Sequence, residues 1–215
     1  MTNEKMLESL VAIGIGTGGF DYIKYNNLVE QLKADIRDEN NKRAGKSNVA
    51  KLGKAVLKNA VENTGGKNFN TKHAMRYAHI KDGVQYVLDG HRIAWFYEPL
   101  DLPEWNEKDG EWYHIERMLE LEIDDTPLEL PSIGDIKAEL KANKGKRVFY
   151  TFTDGITVNA RYLLDYMEGF KDIKVYANAE HNVKQPVWIE SELGGGLLLT
   201  INPGEEIKPG FNVAK

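Results

Sequence analysis

The feature that most narrows the fold of this chain is an order of elements that occurs twice. A helix followed by three short β-rich runs is predicted over about 48–97 and again over about 160–201. In the first copy Ser47 or Asn48 stands as an N-cap candidate. Leu52, Ala55, Val56 and Ala60, with Asn59, then line one helical face, and Gly65-Gly66 ends the segment. Strand-like runs follow at Ala74–Ile80, Val84–Leu88 and Arg92–Tyr97, punctuated by Asp82-Gly83 and Asp89-Gly90. Asp-Gly suits a tight hairpin because both central positions of that turn favour positive φ. In the second copy Asn159 caps a helix over Ala160–Phe170, with Tyr162, Leu163, Tyr166, Met167 and Phe170 on its apolar face. Strands are predicted after it at Ile173–Ala177, Val187–Glu190 and Leu197–Ile201. The copies share a pattern rather than residues. Side by side they give a pseudo-symmetric α+β domain with two helices on one face of the sheets.

The remaining segments fit around these copies. Residues 3–13, with Met6, Leu7, Leu10 and Val11, and residues 21–38, with Leu28, Leu32 and Ile36, read as helices. The polar stretch Asp38–Ser47 reads as a linker. The division expected is a helical N-terminal appendage over 1–46, a main domain over 47–203 and an irregular tail over 204–215. Between the copies, residues 98–132 read as a long acidic connection with a partial strand near Tyr113–Ile123. A helix over Ile133–Ala142 starts at Pro131-Ser132. Strands at Arg147–Phe152 and Ile156–Val158 flank a turn at Asp154-Gly155.

Composition removes several classes of function. The 215 residues include no cysteine, which excludes disulfide scaffolds, thiolate metal sites and cysteine nucleophiles. The N-terminus lacks the basic start of a secretion signal, and the apolar run Leu10–Ile15 is too short to span a bilayer. The expectation is a soluble, cytoplasmic protein with no membrane partner. A net charge of −5 argues against a generic nucleic-acid coat protein. The acid is concentrated, because residues 71–132 carry fourteen Asp/Glu against six Lys/Arg. Basic helices elsewhere remain able to face DNA.

Two segments carry a family resemblance. Tyr86-Val87-Leu88-Asp89-Gly90-His91-Arg92-Ile93-Ala94 resembles the Thr-Asp-Gly-His-Arg-Leu-Ala strand-turn-strand of the bacterial DNA polymerase III β sliding clamp. Ile156-Thr157-Val158-Asn159-Ala160-Arg161-Tyr162-Leu163-Leu164-Asp165-Tyr166 resembles the late helix that opens the clamp's final αβββ unit. Pro186–Glu190 and Leu197–Leu199 are similar to its last two strands. The resemblance covers roughly 48–203 and implies a clamp-like domain of two βαβββ halves. It departs at Leu88, where the family has threonine, and at Thr200-Ile201-Asn202-Pro203, where the family has Met-Pro-Met-Arg. The family's chain has three such domains and two chains close a ring. A single domain of this kind needs several copies for a ring, so a homo-oligomer is implied.

The resemblance also implies a function. In the family the Asp-Gly-His-Arg segment borders a groove that takes peptides from DNA polymerases and other replication proteins. Carried over, Leu88, Gly90, His91, Arg92 and Ile93 form one wall, and Thr200, Ile201 and Pro203 form another. The family's inward helices touch double-stranded DNA through its backbone, which assigns that role to Lys51, Lys54, Lys58 and Arg161. No cofactor and no catalysis are required. Taken as residues alone, Asp89-Gly90 is equally a plain turn with Arg92 paired to an acid, and the lysines are equally a solvated face. Two other functions stand beside a phage-type processivity factor. One is a monomeric clamp-like adaptor or inhibitor of a host replication protein. The other is a small metal-dependent hydrolase using His73, His79, Asp89 and His91. Gly14–Gly19 lacks the Lys-Ser/Thr of a phosphate loop.

Overall fold

Asp82 and Gly83 adopt φ of 52° and 80°, the left-handed pair that the Asp-Gly signal predicts. They join β1 (His79–Lys81) to β2 (Val84–Leu88). The computed structural model of the chain describes residues 22–43, 46–63, 74–107, 112–180, 182–201 and 208–214. The chain divides into two compact units, Met1–Ser47 and Asn48–Lys215. In the first, helix α1 spans Tyr22–Arg43, running through the start of the stretch that reads as a linker. The readings over 3–13, Gly14–Gly19, Gly65-Gly66, His73 and Pro203 lie outside the described residues.

The second unit is mixed α+β, built on a large antiparallel sheet. Helix α2 (Ser47–Asn63) precedes β1, β2 and β3 (Arg92–Phe96). The acidic connection then gives a helical turn, Glu116–Leu119, and β4 (Ile123–Pro127). Helix α3 (Ile133–Ala142) is capped by Ser132, whose hydroxyl accepts from the Asp135 amide at 3.1 Å. A hairpin of β5 (Val148–Thr151) and β6 (Thr157–Asn159) feeds helix α4 (Ala160–Gly169). The Asn159 side chain caps α4, accepting from the Arg161 amide at 2.9 Å. Strands β7 (Lys174–Asn178), β8 (Val187–Ser191) and β9 (Gly194–Leu198) follow, and β10 (Gly210–Val213) comes last.

Seven strands form one sheet in the order β1-β2-β3-β9-β8-β7-β4, and β10-β5-β6 form a second. The first six read as two triplets, β1-β2-β3 and β9-β8-β7, joined by their final strands. The joint is antiparallel and centred on Ala94 opposite Gly196. Each triplet follows its own helix, so the repeated element order becomes a pseudo-twofold about the β3–β9 seam.

The seven-stranded sheet is buried on both faces at its centre, where β3 and β9 are buried at every position, while its edge strands β1 and β4 are not. Val87, Ala94, Phe96, Val187, Ile189 and Leu198 face the main core with α2 and α4. Leu88, Ile93, Trp95, Leu197 and the half-buried Trp188 face a second cluster, closed by Trp105, Trp112 and Ile115 of the acidic connection. The acids of that connection point outward, with Glu104, Glu107 and Glu116 exposed.

The structure corrects four sequence-based boundaries. A 3-10 turn occupies Ala74–Arg76 where a strand start is expected. The helical turn Glu116–Leu119 replaces the partial strand near Tyr113–Ile123, because Trp112 and Ile115 turn inward at helical rather than alternating spacing. The last strand of the second triplet begins at Gly194 rather than Leu197. Its glycines are there for space. A Cβ on Gly195 would lie 2.5 Å from Trp95, and one on Gly196 would lie 2.7 Å from the Tyr166 hydroxyl. The tail expected to be irregular carries β10, which pairs Gly210–Val213 with Thr151–Val148.

Gly196→Ala therefore forces Tyr166, fully buried, out of place. Overpacking of this kind costs roughly 1–3 kcal/mol, a fall in melting midpoint of about 2–10 °C for a unit of this size. Gly134→Ala in α3 is the control, since its Cβ meets only the Ser132 hydroxyl, at 3.6 Å. Differential scanning fluorimetry checks both, and an unchanged midpoint in Gly196→Ala contradicts the packing described.

Candidate functional site: a two-part groove at the hairpin tip

The loop between β2 and β3 turns at Asp89-Gly90, with Gly90 at φ 85°. Asp89 is buried and organises the loop. Its Oδ1 accepts from the His91 and Arg92 amides at 2.9 and 3.1 Å. Its Oδ2 accepts from Arg92 Nε at 3.0 Å and from Asn59 Nδ2 of α2 at 3.4 Å. Arg92 Nη1 donates to Asp165 of α4 at 2.8 Å, and its Cζ lies 4.4 Å from the Tyr162 ring centre. The two helices thus hold the hairpin tip from two sides.

Arg92 is fully buried, so its charge is available only to these partners. Burial opposes the charged form, but Tyr166, Asp89 and Asp165 outweigh it and hold the pKa above the ordinary arginine value. Nη2 has no acceptor among the described residues. Burial pushes the Tyr162 hydroxyl up, with Asp89 adding to the effect and the nearby arginines opposing it. Burial likewise raises Tyr166, whose hydroxyl donates to the Ile93 carbonyl at 2.6 Å.

Two cavities open on this scaffold. The first, about 210 Å3, is apolar and is lined by Leu88, Gly90, Arg92, Ile93, Leu197 and Leu199 on the sheet side. Met75 and the segment holding Tyr113, His114, Ile115 and Met118 close it. The second, about 320 Å3, is lined by His91, Arg147, Phe149, Asn159, Tyr162, Leu199, Thr200 and Ile201. None of those eight residues is acidic, and the Thr200 hydroxyl is buried with no hydrogen-bond partner among the described residues. Leu199 lines both cavities.

The residues expected at a groove are thus brought together in two groups. Leu88, Gly90, Arg92 and Ile93 line the apolar cavity, and His91, Thr200 and Ile201 line the polar one. Arg92 lines the apolar cavity while Asp89 and Asp165 take up its guanidinium, the pairing to an acid that the residues alone also allow. Arg147 and Tyr162 were not anticipated, since they come from segments far from the hairpin in sequence.

The basic residues separate. Lys51 lines a third cavity, about 420 Å3, between α2, α3 and α4, together with Lys137 and Lys171. Lys137 pairs with Glu168 there at 2.7 Å. Lys58 is exposed and Lys54 half-buried on α2. Arg161 sits at the other end of α4, 3.6 Å from Asp165, and does not line that cavity. Lys137 and Lys171 are additional cations that helix-by-helix reading misses.

Of the residues named for a metal site, His79 and Asp89 are otherwise engaged. His79 stacks on Trp112 at 5.0 Å and meets Trp105 edge-on at 5.1 Å. Burial pushes its imidazolium pKa down, Lys81 adds to this and Glu116 opposes it. Asp89 spends both oxygens on the hairpin tip. No cluster of three or more His, Asp or Glu able to hold a metal occurs among the described residues. No helix among them is long and apolar enough to cross a membrane. Comparison with family models, curated proteins and solved structures gives no match.

Arg92→Ala should destabilise the unit by about 3–5 kcal/mol, the usual cost of leaving a buried carboxylate uncompensated. Arg92→Lys should not restore it, because an ammonium cannot reach two carboxylates and a ring at once. Urea denaturation of both variants checks this. Wild-type stability in Arg92→Ala contradicts the role given to the buried pair.

Proposed function

We propose that this chain is a sliding-clamp-like replication accessory protein that binds partner peptides in the two-part groove and DNA backbone along its helices. The observation that carries the reading is the groove itself. Residues assigned to it from two distant segments line two adjoining cavities that meet at Leu199. The pseudo-twofold of two helix-plus-three-strand units supports the same reading, since a clamp domain is two such halves.

The division of labour follows from the chemistry of each cavity. The apolar one suits an aliphatic or aromatic side chain, whose burial supplies affinity. The polar one, with Arg147, His91 and the Thr200 hydroxyl, suits a carbonyl or carboxylate that fixes register. The groove needs no cofactor and turns nothing over. On the helical side, Lys51 and Lys171, with Lys58, offer phosphates weak, sequence-independent contacts beside a cavity that Asp165 and Glu168 also line. The middle of the acidic connection, from Trp105 to Leu121, packs on the other face of the seven-stranded sheet, while its ends, at Leu100, Leu102, Leu128 and Leu130, pack in the core on the helix side.

A labelled peptide from a clamp-binding segment of a bacterial replicative polymerase tests the groove. Leu199→Asp, at the half-buried junction of the cavities, should weaken binding by about tenfold or more, the usual effect of losing a central contact. Fluorescence anisotropy reads it, with circular dichroism confirming the fold. Equal affinity of the wild type and Leu199→Asp for the peptide refutes the groove assignment.

A further inference from the structure

The apolar cavity has two unlike walls. One is the paired strands β3 and β9. The other is the segment Trp112–Leu119, which supplies Tyr113, Ile115 and Met118. We propose that this segment is a displaceable cover, which moves aside when a ligand side chain takes the place of Ile115 beside Ile93 and Leu197. The proposal rests on the groove being a binding site.

Three features make the cover easy to lift. Its only regular structure is the four-residue helical turn Glu116–Leu119, far below the length at which a helix sustains itself. That turn starts at Ile115 with no side-chain cap, whereas Ser132 and Asn159 cap α3 and α4. Trp112 is buried with its indole N–H unpaired among the described residues, so closing the cover removes a donor from water without replacing its hydrogen bond.

Two contacts tie the cover to β1. One is the stacking of Trp112 on His79 at 5.0 Å. The other is an ion pair from Lys81 of β1 to Glu116, with both side chains 46% exposed. An exposed ion pair is a weak tie that solvent and salt screen. Burial of Ile115, 4% exposed, adds to these. A ligand side chain of similar shape replaces that burial and leaves Trp112 free to reach water. The cover and the ligand therefore compete for one apolar site.

The absence of cysteine permits a direct test. Ile115→Cys places a thiol under the cover, and Ile156→Cys, at a fully buried site of the main core, reports global unfolding. Maleimide labelling under native conditions should modify Ile115→Cys about tenfold faster or more, as local opening outruns global unfolding. Adding Glu116→Gln should raise the Ile115→Cys rate by roughly two- to fivefold, the shift expected from losing an exposed ion pair. Adding 1-anilinonaphthalene-8-sulfonate as an apolar probe should raise it as well. Equal labelling of the two thiols, insensitive to Glu116→Gln and to the probe, overturns the cover. That result leaves the groove standing if the polymerase peptide still binds. Fast labelling without peptide binding removes the partner reading alone.

Discussion

The close approach of β3 and β9 is the constraint on which the rest of this structure depends. Gly196 leaves room over the seam, and Tyr166 of α4 fills it with its ring and bonds the Ile93 carbonyl through its hydroxyl at 2.6 Å. One contact thereby fixes the helix, both final strands and the centre of the pseudo-twofold. A buried phenol with a short bond to backbone has strong orientational preference, so it also sets where α4 begins. That places Asp165 and Tyr162 beside the β2–β3 hairpin.

The hairpin tip is held by charge. Asp89 accepts from its own loop, from Arg92 and from Asn59 of α2, while Arg92 reaches Asp165 of α4. A buried pair of this sort is a poor source of net stability, because desolvation offsets most of the attraction. Its value is geometric. It fixes Gly90 and His91 relative to both helices, and so holds the hairpin side of both cavities in one arrangement. Preorganisation of this kind lowers the ordering cost of binding.

How much of this was legible in the sequence depended on whether the signal was local. Asp82-Gly83, the Asn159 cap and the Ser132 cap are written in adjacent residues, and the structure has all three. The repeated element order also held, because helical and alternating periodicities are local. The start of β9 at Gly194 was not legible, since the glycines there are set by Trp95 and Tyr166, which come from distant segments. The role of Arg92 depended on Asp165, distant in sequence, and Arg147 joined the groove only once β5 was placed. The cover escaped notice because the acids between Glu98 and Glu129 obscure the apolar positions Trp105, Trp112 and Ile115. Strand β10 is four residues whose only reason to be extended is its partner β5.

The central claim is that the hairpin tip and the residues after β9 form one binding surface. Nitrogen-15 chemical-shift mapping with the polymerase peptide tests it most directly. The account predicts shifts concentrated at Gly90, His91, Leu199, Thr200 and Ile201, with α3 and β10 unmoved. Shifts absent from these residues, or centred on another face at saturating peptide, would contradict it.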